Sequence, residues 1–386
     1  MRIMRRHGVY IIALYLVLTT QIAMAHDEPD AIRVFGYFQN SFQHWTTFED
    51  RREHNSFSLQ QLNMLFQKDL SRDWSAFINF EALNNFSTTR RWGAFDLEEA
   101  WINYNPDSRL NLKLGLSIPI FNNLNEINNR SPLLPYVIRP LVYESSLNES
   151  VGTEQFVPAR AFVQAYGYFP WRRNKLDYAL YVGNGPNANS DPDKGQTGID
   201  TTTTLLVGGR IGIRRDELKA GLSFTFSKDN QFQPLAADIG LSPQDHRQRP
   251  KFRTGGDLSH RIGAWSIESE FIRIRITDEI TEIDVNAHFY YATLGYDYNE
   301  ALFIYGSYWL ANTHFAYDGP LAGHIENEDI YVPNGGVAYQ LTDQLRFKAQ
   351  YARVRGDEEH RVPGVEDVRL EPDNFTIYAI AISAIF

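Results

Sequence analysis

The sequence has no cysteine and, after residue 25, no apolar stretch of the length that a transmembrane helix needs. A small secreted fold usually depends on disulfides, so this chain must be stabilised in another way. A membrane-spanning helix takes about 18 or more consecutive apolar residues, so helical membrane spans are excluded. The formal charge of −10 disfavours a general nucleic-acid-binding protein.

The first 25 residues have the organisation of a secretory signal peptide. Arg2, Arg5 and Arg6 give a basic start, and Val9–Leu18 is an apolar run too short to span a bilayer. Ala23-Met24-Ala25 then provides small residues at alternate positions, as a cleavage site requires. An uncleaved anchor is the alternative. We therefore expect a signal peptide over residues 1–25 and a single exported domain over residues 26–386.

The feature that the chain does have is period-two alternation, in a sequence that is 14% aromatic. Successive side chains of a β-strand point to opposite faces. Leucines at 110, 112, 114 and 116 alternate with Asn111, Lys113, Gly115 and Ser117, and residues 74–82, 176–182 and 218–226 follow the same pattern. One such segment would equally fit a half-buried strand of a soluble sandwich. Recurrence along the chain favours a barrel with an apolar outer face and an aqueous inner face.

The connections between these segments differ regularly in length. Short polar turns are predicted at 69–73, 105–108, 214–217, 261–263, 297–300 and 342–344. Longer polar stretches are predicted at 184–200, 228–249, 277–284, 311–328 and 356–372. Short turns on one side and long loops on the other are typical of outer-membrane barrels. We therefore predict an all-β fold, a transmembrane antiparallel β-barrel of about sixteen strands with short periplasmic turns and long external loops.

The chain ends in an alternating segment whose last residue is Phe386. A barrel needs a closing strand that pairs with the first strand, because an open sheet edge is not tolerated in lipid. A terminal aromatic ring is favoured at the membrane interface. The segment resembles the C-terminal strand that the insertion machinery of outer-membrane barrels recognises, so we expect that machinery as a partner, together with outer-membrane lipid and lipopolysaccharide.

A long irregular stretch, residues 119–158, is the third long loop. Loops beyond about 15 residues are uncommon and usually functional. Its apolar run, 133–138, favours packing against the barrel, whereas an exposed loop with solvated charges is the alternative. Inside a barrel, opposed charges would create a transverse field that orients polar solutes. The charged residues are Glu126, Arg130, Arg139, Glu144, Glu149 and Glu154, with Arg160 at the next strand, and we expect a pore constriction formed by Glu126, Arg130, Arg139, Glu144 and Arg160.

Three short segments carry a resemblance to a known family. Leu97-Glu98-Glu99-Ala100-Trp101-Ile102-Asn103-Tyr104, the segment 114–121 and Tyr181-Val182-Gly183-Asn184-Gly185-Pro186 resemble the phosphate-selective porins. The resemblance implies trimers of sixteen-stranded barrels, a third loop folded into the lumen, and passage of small anions along arginines and lysines. We accordingly expect a homotrimer in the bacterial outer membrane.

The predicted inward-facing charges depart from that family's basic lumen. The basic candidates are Lys113, Arg210, Lys219, Arg253, Arg346 and Lys348. The acidic candidates are Glu81, Glu99, Asp177, Asp257, Glu268 and Glu270. Because basic and acidic candidates are equal in number, neither sign of charge dominates the predicted lumen. We therefore expect a porin for passive diffusion of small hydrophilic solutes or ions. The solute, the pore diameter and the sign of ion selectivity stay open.

Two other classes of protein remain as alternatives. A non-conducting barrel would serve as an adhesin or structural anchor. A barrel hydrolase would need a nucleophile and a histidine that converge; Ser259 and His260 are adjacent in a strand and should face opposite sides. The histidines show no metal-ligand spacing. We therefore expect no enzymatic activity, no catalytic or metal site and no cofactor.

Overall fold

The computed structural model describes residues 31–46, 54–85, 94–128, 130–144, 156–158, 160–185, 204–229, 249–278, 283–317, 325–361, 368–370 and 374–386. The predicted signal peptide lies outside the described residues, as do Glu149 and Glu154 of the third loop. Among the described residues no helix has the length and apolar character needed to cross a membrane.

The described chain is built almost entirely of antiparallel strands in a single sheet. The strands are β1 (Arg33–Trp45), β2 (His54–Asp69), β3 (Trp74–Asn85), β4 (Ala94–Asp107), β5 (Leu110–Ser117), β6 (Ala161–Trp171), β7 (Asn174–Gly183), β8 (Leu206–Arg215), β9 (Leu218–Asp229), β10 (Arg249–Ile262), β11 (Trp265–Asp278), β12 (Ile283–Asp297), β13 (Leu302–Tyr317), β14 (Ile325–Thr342), β15 (Leu345–Arg361), β16 (Val368–Leu370) and β17 (Asn374–Ile385). The three-residue β16 pairs with the outer end of β15, and it has no other strand partner among the described residues. The other sixteen strands form the barrel.

The barrel is closed by pairing of the first strand with the last. Residues Tyr37–Trp45 of β1 pair with Ile377–Ile385 of β17. Beyond the strand, Gly36 and Phe386 exchange two backbone hydrogen bonds of 2.8 and 2.9 Å. A Cβ at Gly36 would lie 2.6 Å from the ring of Phe386, so glycine makes room for the terminal aromatic. The closed sheet satisfies its backbone groups internally, as a membrane span requires.

The outer face of the barrel is apolar around its girth. Leu180, Ile211 and Leu222 are 57%, 65% and 65% exposed, although a water-soluble protein would bury such side chains. Their strand neighbours Tyr181, Arg210 and Ser223 face inward and are buried. The predicted fold class, an outer-membrane type of antiparallel barrel with sixteen long strands, is confirmed.

The two ends of the barrel differ as predicted. Strands β6–β7, β8–β9 and β10–β11 are joined by two-residue turns. Each of these turns has a residue of positive φ, at Arg172 (56°), Asp216 (50°) and Gly263 (60°), as tight hairpins need. The third connection at the opposite end, between β5 and β6, contains three short 3-10 turns at Asn125–Ile127, Ser131–Leu133 and Leu141–Tyr143.

Several strands run further than the sequence pattern indicates. The expected loop over residues 311–328 is mostly strand, because β13 continues to Tyr317 and β14 resumes at Ile325. The expected loop over 277–284 is similarly shortened by β11 and β12. At these outer ends the inward side chains, such as Ile276 and Val285, are apolar and buried. The sequence pattern assigned these residues to loops because it identified a strand by an apolar outer face, and here the apolar side chains face inward.

Candidate functional site

The third loop lies inside the barrel and forms a hydrophobic core with one side of the wall. Phe121, Val137 and Leu141 of the loop are completely buried. They belong to one apolar cluster with inward-facing residues of β11–β15 and β17, including Ile272, Phe289, Trp309, Val332, Val354 and Ile377. We call this side, β11–β15 with β17, the loop wall, and the inner face of β2–β10 the open wall.

A first polar anchor holds the start of the loop to β11. One carboxylate oxygen of Glu270 accepts hydrogen bonds from the backbone N–H groups of Asn123 and Leu124, both at 2.8 Å. The other oxygen accepts the Tyr143 hydroxyl at 2.6 Å. Burial raises the pKa of the Tyr143 hydroxyl well above its ordinary value, and the Glu270 charge raises it further, so the phenol stays a donor.

Beside this anchor the loop turns through an unusual conformation. Asn122 has a φ of 54°, in the left-handed region, and its backbone N–H donates to Ser223 Oγ at 2.9 Å. A Cβ on Gly255 would lie 2.3 Å from the Asn122 side chain, so glycine on β10 allows the loop to approach the wall. The start of the loop is therefore fixed from β9, β10 and β11 together.

A second anchor holds the middle of the loop to β15. Gln350 Oε1 accepts the backbone N–H groups of Val137 and Ile138, each at 2.8 Å. The ammonium group of Lys348 donates to Gln39 Oε1 at 2.7 Å and to the backbone oxygens of Ser131 and Tyr136 at 2.8 and 3.2 Å. A buried cation thus has three acceptors, as a buried charge requires.

Glu270 and Lys348 were expected on the pore wall. Both face inward, but the loop covers them, and they are only 2% and 0% exposed. Glu268 is likewise bonded beneath the loop, accepting the hydroxyls of Tyr291 at 2.8 Å and Tyr136 at 3.4 Å. Arg346 donates to Gln340 at 2.8 Å and to the backbone oxygen of Leu133 at 2.9 Å. Their geometry is that of loop anchors.

Two of the expected constriction residues are internal to the loop. Arg139 and Glu144 form an ion pair of 3.4 Å, and their side chains are 8% and 2% exposed. The backbone N–H of Arg139 also donates to the Glu144 carboxylate at 3.0 Å. The pair therefore fastens one turn of the loop to itself and leaves little charge for a passing solute.

The charged side of the third loop faces β5. Glu126 pairs with Lys113 at 3.0 Å, and the Lys113 ammonium also lies over the rings of Trp101 and Tyr166, 4.9 and 5.3 Å from their centroids. Burial alone would raise the pKa of Glu126, but Lys113 and Arg130 together hold it below its ordinary value. Glu126 is therefore ionised at neutral pH.

On the open wall most charges occur in pairs. Arg210 makes a two-point contact with Asp257 at 2.8 and 2.6 Å, and Arg214 binds Asp177 at 2.6 Å. Arg160 binds Glu98 at 2.6 Å. Paired charges of opposite sign polarise a passage but contribute little net charge to it.

Some of the expected charges have no ion-pair partner among the described residues. Lys219 and Arg130 are cations of this kind, and both are half-buried. Glu81 accepts Gln61 at 2.6 Å, and Glu99 accepts the Trp101 indole at 3.1 Å. Arg253 is not one of these charges, and its guanidinium group donates to the Thr225 hydroxyl at 3.4 Å.

Glu98 was missed by the sequence pattern. Strict alternation places Glu99 inward and Glu98 outward, but the β3–β4 register shifts between Asn79 and Phe80. The resulting bulge turns both carboxylates inward, where they are 7% and 4% exposed. Lys251 and Arg249 were also left out, although they continue the alternation that contains Arg253.

Comparisons with known proteins bear on the fold. No protein-family profile and no curated protein is similar to the chain in sequence. Its structure is similar to the anion-selective porin from Comamonas acidovorans (TM-score 0.62, 12% identity, covering 92% of this chain and 100% of that one). It is also similar to Pseudomonas putida OprB (TM-score 0.58, 14% identity, 93% and 94% covered). A third similar structure is a trimer form of in-vitro folded OmpT, an outer-membrane protein of Vibrio cholerae (TM-score 0.56, 10% identity, covering 93% of this chain and 100% of that one). The chain has the fold of outer-membrane porins.

Proposed function

We propose that this chain is an outer-membrane porin, a water-filled channel for passive diffusion of small hydrophilic solutes or ions. The observation that carries the proposal is the division of the inner face. The third loop and the loop wall form an apolar core, whereas the charged side chains between the loop and the open wall, Glu126, Arg130, Arg160 and Lys219, are only half-buried. Polar groups facing a lumen need water or solute as partners.

The passage should run between the third loop and the open wall. Glu126 and Arg130 lie on the loop, Lys113 and Lys219 lie on strands β5 and β9, and Arg160 directly precedes β6. Solutes would pass these groups without a dedicated binding site, because width and wall charge select in a passive channel. Arg139 and Glu144, which are buried within the loop, should affect width only through the loop's shape.

We propose weak ion selectivity rather than phosphate selectivity. Ion pairing neutralises Lys113, Arg160, Arg210 and Arg214. Among the described residues Lys219 and Arg130 have no ion pair and are matched in number by Glu81 and Glu99, while the further inward cations of β10, Arg249, Lys251 and Arg253, are each 5% exposed or less. A reversal potential measured across a tenfold salt gradient should therefore be small, and Lys219→Gln should move it toward cation preference. A strong anion preference of the wild type would overturn the mixed-lumen proposal.

The channel is tested by conductance of the purified chain in planar bilayers. We expect stepwise, ohmic openings in salt, and uptake of small sugars in a liposome-swelling assay. A matched heat-denatured sample controls for detergent leaks. Absence of conductance from folded protein would favour the alternative, a closed barrel that acts as an adhesin or structural anchor.

We also propose that the barrel assembles as a homotrimer. The support is the similarity of its fold to a protein whose structure is a trimer form. On the outer face of β6, Val163 is 44% exposed, and Ala165 and Gly167 follow on the same face, which would allow close approach of a neighbour. Native mass spectrometry in detergent should give three times the mass of one mature chain.

We propose no enzymatic activity. Ser259 pairs with the inward-facing Glu268, and His260 pairs with Ile267, which is 42% exposed on the outer face. The serine and the histidine therefore cannot act on one substrate. Among the described residues no group of histidines and carboxylates has the geometry of a metal site. Lack of ester hydrolysis by conducting protein would agree with this proposal.

A further inference from the structure

The outer faces of β11–β15 change from apolar to polar before the strands end. On β11 the outward residues are Ile267, Ser269 and Phe271, followed by Arg273 and Arg275. The same change occurs on the next four strands, while the inner face at this level is apolar and buried. We call the outward residues above this change the outer polar belt; it comprises Arg273, Arg275, Asp284, Asn286, His288, Asn312, His314, Asn327, Asp329, Arg353, Arg355 and Asp357.

The belt begins directly above a row of exposed aromatic rings. Tyr290, Tyr351 and Tyr378 are 42%, 43% and 50% exposed on the outer face. His288 follows two residues beyond Tyr290, and Arg353 two residues beyond Tyr351. Exposed aromatic rings mark the membrane–water interface of outer-membrane barrels. The belt therefore lies at the level of the lipid head groups, on strands that are still paired.

The strand pairing itself continues through the belt. Residues Asp278 and Ile283 are still register partners, as are Ile283 and Tyr317. Each residue adds about 3.3 Å along a strand, so Arg275 lies only about 13 Å along the strand beyond Phe271. The belt is thus part of the rigid wall, which can present its side chains to a lipid in a fixed pattern.

The arginines of the belt are not neutralised by its carboxylates. Arg275 has one carboxylate, Asp284, at 3.7 Å. Among the described residues Arg273, Arg353 and Arg355 have no ion-pair partner, and all three are exposed. The carboxylate of Asp329 is occupied by Asn312 at 2.6 Å and by the Tyr331 hydroxyl at 3.3 Å.

The arginines occur as two pairs, one on β11 and one on β15. Within each pair the residues are two apart on one strand face, so their Cα atoms are separated by about 7 Å. Guanidinium groups bind phosphate oxygens through two parallel N–H donors, and two of them can hold one phosphate group. Between the pairs, asparagine and histidine side chains such as Asn286 and His314 offer donors and acceptors of the kind that sugar hydroxyls use.

We propose that the outer polar belt binds the phosphorylated sugar head group of an outer-leaflet glycolipid, lipopolysaccharide, with Arg273, Arg275, Arg353 and Arg355 as phosphate ligands. A membrane lipid is the occupant because the belt continues upward from the lipid-facing surface of the same strands. The proposal depends on the barrel fold and is independent of whether the lumen conducts.

The test compares two quadruple variants of the full chain. One carries Arg→Gln at 273, 275, 353 and 355. The control carries Arg→Gln at Arg33, Arg72, Arg215 and Arg261, exposed arginines at the short-turn end of the barrel. Both lose the same charge, and circular dichroism, which does not depend on whether the lumen conducts, verifies that each variant is folded. Binding is measured with purified lipopolysaccharide by native mass spectrometry and by titration in detergent.

We expect the belt variant to bind lipopolysaccharide at least tenfold more weakly and the control to stay within twofold of the wild type. Dephosphorylated lipopolysaccharide should bind the wild type as weakly as intact glycolipid binds the belt variant. Equal binding by both variants would overturn the proposal. So would wild-type binding that is abolished by EDTA and unchanged in the belt variant, because metal ions bridging carboxylates would then hold the lipid. Equal affinity for phosphatidylglycerol vesicles would overturn the assignment to a glycolipid.

Discussion

The loop wall and the open wall of this barrel have the same backbone pattern and opposite interiors. Phe289 and Trp309 of the loop wall are completely buried in an apolar core, whereas Arg210 and Asp257 of the open wall face each other as an ion pair. Side chains that face the interior of a barrel can therefore be buried away from water. An internal loop converts one side of the barrel interior into an ordinary protein core and leaves charged and polar side chains on the other side.

The outer faces of the strands in the two walls differ in polarity. Open-wall strands such as β8 and β9 present Ile211, Leu222 and Phe224 to lipid. Strands β11–β15 of the loop wall are longer than β5–β9 of the open wall, and their outer ends carry the outer polar belt. The inner core stabilises these ends above the membrane because the third loop packs against them from within.

The largest effect should come from the core of the loop wall. Phe289→Ala removes a completely buried ring that contacts Phe156, and we expect a loss of about 3–5 kcal/mol in the free energy of unfolding. Phe224→Ala, at a residue that is 45% exposed to lipid on the open wall, is the matched control and should cost less than half as much. Urea unfolding in detergent measures both. Equal losses would contradict the distinction between the two walls.

A smaller effect is expected at the loop anchor on β11. Glu270→Ala leaves the N–H groups of Asn123 and Leu124 without their acceptor, which should cost about 1–3 kcal/mol. Glu270→Gln retains an amide oxygen for both donors and is the control. We expect the alanine variant to show noisier and larger single-channel currents, because the loop is less firmly held. Identical current records for the two variants would argue against anchoring.

A pH effect is expected from the pair between the loop and β5. The pKa of Glu126 is held below its ordinary value, so the stabilisation by the Glu126–Lys113 pair is fully present above about pH 4.5, the ordinary value. It is lost as the pH falls through the lowered pKa. The wild type should therefore change its conductance in that acidic range, and Glu126→Gln should show the changed conductance already at pH 7. A wild-type response centred above pH 5 would contradict this assignment.

The regular parts of this fold could be predicted from the sequence. Alternation identified β5, β7 and β9, and Phe386 identified the closing strand. These elements were recognisable because lipid on one side and a polar interior on the other impose a simple two-sided pattern. Where a second core forms inside, as at Ala311 and Phe315, the apolar side chains face inward and the prediction ended strand β13 too early.

The site was less predictable, because tertiary contacts decide which inward charges face solute. Lys113 and Lys348 look equivalent in the sequence, each inward on an alternating strand. One lies beside the loop with Glu126, and the other is completely buried by the loop and bonded to its backbone. The orientation of Glu98 depends on a bulge that no short pattern reveals.

The central claim is that solutes pass along the open wall and are excluded from the loop wall. The chain has no cysteine, so a thiol reagent can react only at a cysteine that is introduced by substitution. Lys219→Cys is on the open wall, and Ala287→Cys is under the loop, at a site that is 4% exposed. During planar-bilayer recording, a charged methanethiosulfonate reagent should reduce the current of the Lys219→Cys channel in steps and leave the Ala287→Cys channel unchanged. Equal block of both channels, or block of Ala287→Cys alone, would contradict the account.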